Sequence, residues 1–223
     1  MVRVHVLVEG QTEETFVKGV LQPHFNQREV YLFPRLIGKP GHRGGIGEYP
    51  RARRDILTTL KQESHAFCTT MFDYCAMPSS WPQRDAAKQS SFSQKPVIIE
   101  QAILTDIAGE LGDGFNAIRL IPYVQMHEFE ALLFSNAKLL ADGLDLANDS
   151  AIQAIRNQFQ TPEEIDDSPQ TAPSKRILEL NPRYAKVLDG VRISQSIELP
   201  VMRAQCPHFN EWIGKLEALA ARS

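Results

Sequence analysis

The stretch Val2-Arg3-Val4-His5-Val6-Leu7-Val8-Glu9-Gly10-Gln11-Thr12-Glu13 decides the fold. Val2, Val4, Val6, Leu7 and Val8 form an apolar run that passes directly into an acidic turn. Such a run is the sequence form of a buried parallel strand. In open α/β sheets, ligands gather outside the carboxyl ends of the strands, and Glu9 falls there. Gly10 permits a sharp turn, and Thr12 is placed to cap a helix beginning near Glu13. A second strand-like run, 66–72, also ends on a carboxylate, Asp73. Two acids at two strand ends predict a divalent-metal site.

Outward from these two strands, the pattern alternates. Residues 13–21 carry Phe16, Val17, Val20 and Leu21 on one helical face, with Pro23 as an expected stop. Residues 30–37 predict a strand, placed at an edge or a bulge by Pro34. A glycine-rich stretch, 38–47, follows with Lys39, His42 and Arg43, and then a helix over 51–60. After the 66–73 strand comes a Pro/Ser/Gln-rich loop to about residue 95. A helix over 97–111 is stopped by Gly112 and Gly114. A strand over 117–124 leads into Gln125, His127, Glu128 and Glu130, and 128–140 reads as helix. The order β-α-β-α-β-α-β-α predicts an α/β fold with a mainly parallel sheet flanked by helices. From about Asp142 the pattern turns to short helical pieces broken by prolines, ending in an amphipathic helix over 209–221. The expected organisation is an α/β domain at 1–141 and a C-terminal helical subdomain at 142–223 packed on it.

Composition narrows the class. The 223 residues are 43% hydrophobic and 23% charged, with a net charge of -3, which suits an ordinary globular protein rather than one coating nucleic acid non-specifically. A local basic groove remains compatible with that balance. No apolar stretch approaches the ~20 residues that cross a bilayer, so no membrane association is expected. The N-terminus lacks the basic, apolar and small-residue order of a secretion signal. Cys68, Cys75 and Cys206 are too widely spaced for a disulfide framework or a zinc knuckle. The expected location is cytoplasmic.

Glu9, Glu13, Asp73, Glu128 and Glu130 are the carboxylates nearest the expected strand ends. A hard cation such as Mg²⁺ takes oxygen ligands, usually one or two carboxylates plus waters and substrate phosphates. It can activate water and stabilise a leaving oxyanion in phosphodiester cleavage. The competing reading is that acids of this kind simply favour helix N-termini. His127-Glu128 lacks a second His at i+4, so the zinc-protease helix is excluded, and His127 reads as a substrate-orienting or hydrogen-bonding group. Neither GxxxxGK[ST] nor GxGxxG occurs, nor a GxSxG elbow. Cys75 lies close to Asp73, as a candidate thiol or a packing residue. Lys175 and Arg176, with Tyr184 and Lys186, form the best basic patch, read as phosphate contacts or as a solvated surface.

These residues carry a resemblance. The VEGxTE strand end, Asp73-Tyr74, HEFEALLF at 127–134, Ala172-Pro173-Ser174-Lys175-Arg176 and Cys206-Pro207-His208-Phe209-Asn210 together resemble a small bacterial family of unknown function grouped with the topoisomerase–primase (Toprim) fold. The match spans nearly the whole chain. It implies a Toprim-like sheet in which Glu9 corresponds to the metal-holding glutamate and Asp73 to the first aspartate of Asp-x-Asp. Cys75 stands where the second aspartate would be, which removes a hard oxygen ligand; Glu128 or Glu130 is placed to replace it. The resemblance extends to Toprim nucleases of the overcoming-lysogenisation-defect type, which are coupled to ATPases in phage defence. With no ATPase motif here, such an ATPase would be a separate polypeptide.

Two function classes follow as expectations. The first is an Mg²⁺- or Mn²⁺-dependent nuclease, or nuclease-like subunit, acting on DNA or RNA. Glu9 and Asp73 would hold the ion, and Glu13, Glu128 or Glu130 would complete the shell or act as general base. His127, Lys175 and Arg176 would contact substrate. The second is a catalytically silent Toprim-like module that binds a partner ATPase or a nucleotide. A phosphotransfer enzyme on the same site is a third class. Oligomeric state is left open.

Overall fold

The computed structural model describes residues 1–38, 45–165 and 170–222. Lys39, His42 and Arg43 of the glycine-rich stretch lie outside the described residues. The architecture is α/β: a mainly parallel five-stranded sheet flanked by helices. It is built from β1 (Val2–Val8), β2 (Val30–Leu36), β3 (Phe67–Asp73), β4 (Leu120–Ile121) and β5 (Val124–Gln125). The order is β2-β1-β3-β4, with β5 continuing along β3 beyond β4, and the pairings are parallel. Because β1 lies in the middle and is covered on both sides, its apolar run is nearly continuous. β2 is the edge strand, where Pro34 costs the ladder no donor on the open side.

Alternation along β1 feeds two cores. Val2, Val4, Val6 and Val8 face one hydrophobic cluster, and Leu7 faces another. The first cluster is closed by the helices after β1 and by the C-terminal helices. Ile193, Met202, Phe209, Trp212 and Leu216 lie in it together with Val4 and Val6. The second lies under the helices Tyr49–Gln62 and Gln94–Leu111. After residue 141 the described elements are all helical, joined by turns, and they pack on the sheet through the first cluster.

Several local expectations give way to identifiable physics. Thr12 does not cap the first helix; Gly10 takes that position with an extended backbone and the helix starts at Gln11. Pro23 does not stop this segment. The chain widens into a π turn at Val17–Leu21 and resumes as Gln22–Asn26, with the proline in the new first turn, where a missing N–H costs little.

The expected strand over 117–124 is a 3-10 turn, Ala117–Arg119, followed by the two short bridges β4 and β5. Pro122 and Tyr123 interrupt the ladder between them. The buried Thr70 hydroxyl repairs the gap: it donates to the Tyr123 carbonyl and accepts from the Tyr123 N–H, both at 2.8 Å. The expected helix over 128–140 is instead a 3-10 stretch, Phe129–Ser135, and a helix, Ala137–Gly143, divided where the Asn136 side chain caps the second. Among the described residues no helix is long and apolar enough to cross a membrane.

Candidate functional site: a carboxylate cluster closed by Lys186

Three segments meet at the carboxyl ends of the central strands. β1 and β3 are parallel neighbours, with Val8 opposite Met71, so Glu9 and Asp73 leave the sheet on the same rim. The Asp73 backbone amide faces the Glu9 carboxylate across the two strand ends. Gly10 then allows Glu13 to fold back over the turn. A Cβ at Gly10 would stand 2.9 Å from Glu13 Oε2, so any side chain there would push that carboxylate aside. From the other side, β5 pairs Gln125 with Asp73 and delivers His127, Glu128 and Glu130 to the rim. Glu130 is fully buried and Asp73 only 4% exposed.

The counter-charge comes from the C-terminal segment. Lys186 opens the turn Lys186–Gly190, and its Nζ lies 3.1 Å from Glu130 Oε2 and 3.8 Å from Asp73 Oδ2. The side chain is 40% exposed overall, yet its ammonium end reaches a glutamate with no exposure at all. Tyr184 is buried against Glu130 just before it. A Cβ at Gly190 would come within 2.6 Å of the Tyr184 hydroxyl oxygen, so glycine is what lets the tyrosine seat.

Crowding of acids in a poorly solvated space sets the electrostatics. Burial, then the Glu13 carboxylate, push Glu9 up to about 7, against the pull of Lys186 and of the Asp73 N–H. Burial holds Asp73 well above the usual carboxylate range; Lys186 works against this, and Glu13, Glu9 and Glu130 add to it. Burial raises Glu130 as well, again with Lys186 opposing. Burial alone would lower Lys186, but Asp73, Glu130 and Glu13 outweigh it and the ammonium is strongly favoured. One cation therefore faces four carboxylates. Asp73 Oδ1 and Glu9 Oε2 are buried with no hydrogen-bond partner among the described residues.

The remaining candidates have other occupations. Glu128 Oε2 accepts the Ser174 N–H at 3.0 Å, at the start of the helix Pro173–Leu180. There the helix-terminus reading of an acid is realised, across space rather than along the chain. The charge of Glu128 still reaches Glu9 and Glu130. His127 is buried with φ +62, a left-handed backbone uncommon outside glycine. Its carbonyl accepts the Cys75 N–H at 3.1 Å, its Nδ1 lies 3.7 Å from Cys75 Sγ, and its ring packs by Tyr74 and Phe92. It thus fastens the end of β5 to the turn after β3. Lys175 is exposed, whereas Arg176 donates to the Thr171 carbonyl and lies over Phe159.

The structure thus brings Glu9, Glu13, Asp73 and Glu130 together, seats Glu128 at their margin, and holds His127 beside Cys75. Lys186, grouped by sequence with Lys175 and Arg176 in a basic patch read as phosphate contacts or as a solvated surface, stands instead against Asp73 and Glu130. No local motif announces it. The available signal is charge balance: three buried acids beside a partly buried fourth call for a cation. Among the described residues, no three His, Cys, Asp or Glu side chains stand close enough to hold a metal ion as a group. Mg²⁺, however, is ordinarily held by one or two carboxylates with waters and phosphates completing its shell. The unpartnered oxygens of Asp73 and Glu9 fit that smaller demand.

No curated protein and no solved structure matches this chain. A family model does match, over residues 8–217, from Glu9 through Lys186 to the last long helix, and the chain belongs to the family described as Domain of unknown function (DUF4276).

Proposed function

We propose that the protein is a metal-dependent nuclease, or the nuclease-like subunit of a larger assembly, with its centre on Glu9, Asp73 and Lys186. The observation that carries this reading is Asp73: a carboxylate almost wholly buried, with Oδ1 unpartnered, beside a glutamate whose pKa is driven up to about 7. Clustered, perturbed acids at the carboxyl rim of a parallel sheet are the physical signature of a candidate functional site. Glu9 and Asp73 would hold Mg²⁺ or Mn²⁺. When bound, the ion supplies positive charge at the phosphate and acidifies a water.

The chain's own groups do the rest. Glu13, folded back beside Glu9, accepts the proton of the attacking water. Lys186 faces the developing charge on the phosphoryl oxygens, and Glu130 and the buried Tyr184 keep it aimed. Glu128 fixes the start of the Pro173–Leu180 helix and so presents the exposed Lys175 to a substrate phosphate. His127 keeps the β3 and β5 ends in register as a positioning residue. The Toprim resemblance supports nucleic acid as substrate. The phage-defence setting and a separate ATPase partner rest on that resemblance.

The test is cleavage of single- and double-stranded DNA and RNA by the purified full chain with Mg²⁺ or Mn²⁺. Wild type is expected to cut, and Glu9→Gln to lose at least a hundredfold in rate with an unchanged circular dichroism spectrum. Cutting that survives in Glu9→Gln would move the centre elsewhere. A second reading, a silent module that binds an ATPase or a nucleotide, has one observation in its favour: Lys186 already neutralises part of the Asp73 and Glu130 charge. It predicts that neither Mg²⁺ nor Mn²⁺ binds in a calorimetric titration.

A further inference from the structure

We infer that Lys186 takes the place of a second metal ion, so that the centre holds one divalent cation, not two. This inference rests on the metal-dependent reading above and adds the number and position of the ions. Its first support is the asymmetry of Asp73. A carboxylate that bridges two ions offers one oxygen to each. Here Oδ2 lies 3.8 Å from the Lys186 ammonium, while Oδ1 is buried without a hydrogen-bond partner among the described residues. One side of the bridge carries a positive charge; the other is bare.

The second support is the seat of the ammonium. It approaches the fully buried Glu130 to 3.1 Å and Asp73 to 3.8 Å, so it sits on carboxylates from two separate segments at once. A second divalent ion would need the same Asp73 and Glu130 oxygens and would meet an ammonium there.

The lysine is also built in, not a passing surface side chain. Its turn is closed twice between the same residues: the Ala185 N–H donates to Asp189 Oδ2, and the Asp189 N–H donates to the Ala185 carbonyl, both at 2.8 Å. Tyr184 is buried against Gly190 on the inner side of that turn. The Tyr184 hydroxyl lies beside Glu130, a buried polar group outside the acid set that faces the same cluster. Finally, the position that would extend the Asp73 side with a hard ligand is Cys75, whose thiol faces His127 Nδ1 at 3.7 Å. Thiolate and imidazole are poor partners for Mg²⁺.

The experiment counts ions. The full chain is titrated with MnCl₂ by calorimetry, and the Mn²⁺ spectrum is recorded by electron paramagnetic resonance at saturation. Wild type is expected to bind one Mn²⁺ per chain and give the six-line pattern of an isolated ion. Lys186→Gln is expected to bind two, with the broadened spectrum of a coupled pair, and Lys186→Arg to return to one. Two ions in wild type overturn the inference and leave the nuclease reading standing. One ion in both wild type and a folded Lys186→Gln also overturns it, because the vacated seat then attracts no cation. No ion in wild type removes the metal-dependent reading itself. If Lys186→Gln does not fold by circular dichroism, the wild-type and Lys186→Arg counts decide: one in each supports the inference, and two in either overturns it.

Discussion

A glutamate that titrates near neutrality makes stability depend on pH with a definite sign. Glu9 has an ordinary value of 4.5 and is pushed up to about 7 by burial and by Glu13. Between those values the folded chain holds a proton that the unfolded chain has released. The contribution is complete below about pH 4.5 and is lost as pH rises through about 7. Burial shifts Asp73 and Glu130 in the same direction. The thermal midpoint of the metal-free protein is therefore expected to fall between pH 5 and pH 8, and Glu9→Gln to flatten that fall. A midpoint that climbs over the same interval would show that these acids are not crowded as described. Glu9 and Asp73 were readable from sequence because an apolar strand that ends on an acid leaves the acid little choice of position. Lys186 was not, because its place depends on a turn far along the chain that no short motif encodes.

At the scale of the element, the weakest point of the sheet is the joint between β4 and β5, where Pro122 supplies no N–H and Tyr123 finds its partners in one hydroxyl. Thr70→Val keeps the shape and deletes both bonds, leaving a buried amide and carbonyl unpaired. The expected cost is about 1–3 kcal/mol in the urea unfolding free energy. Thr15 makes a similar bond to the Gln11 carbonyl on the exposed face of a helix, and Thr15→Val is expected to stay within about 0.5 kcal/mol. Equal losses at both sites would mean that Thr70 does not bridge the joint.

This joint is also where sequence reasoning over-smoothed. An apolar run over 117–124 reads as one strand until a side chain is seen standing in for the ladder. The stretch 128–140 reads as one helix although Asn136 restarts it. By contrast, β1, β2, β3 and the helix Gln94–Leu111 emerged close to their expected limits. Each has an uninterrupted pattern and a clear stop, such as Gly112 with its positive φ of 78°.

The molecule as a whole is held by a core in which the two ends of the chain share one cluster. Trp212 is the main fastening. It stacks on Tyr123 with ring centroids 4.2 Å apart and planes 6° from parallel, and its Nε1 donates to Thr69 Oγ1 on β3 at 2.8 Å. Trp212→Ala is expected to cost about 3–5 kcal/mol. Because Phe209, Trp212 and Leu216 belong to the same cluster as Val4 and Val6, the C-terminal helices should not melt on their own. Calorimetry on the wild type should give a single transition; two resolved steps would show that the tail is an independent unit. The α/β class and the helical character of the tail were legible from hydrophobic periodicity. That the tail would also complete the acidic rim was not, since periodicity records which face is inward and says nothing about which neighbour it meets.

The supply of that ammonium from so late in the chain has a consequence for biogenesis. A polypeptide leaves the ribosome N-terminus first. The acids at 9, 13, 73 and 130 are therefore all synthesised before the lysine that faces them. Until residue 186 has emerged, an incomplete nascent protein carries these acids without the ammonium that faces them in the finished fold.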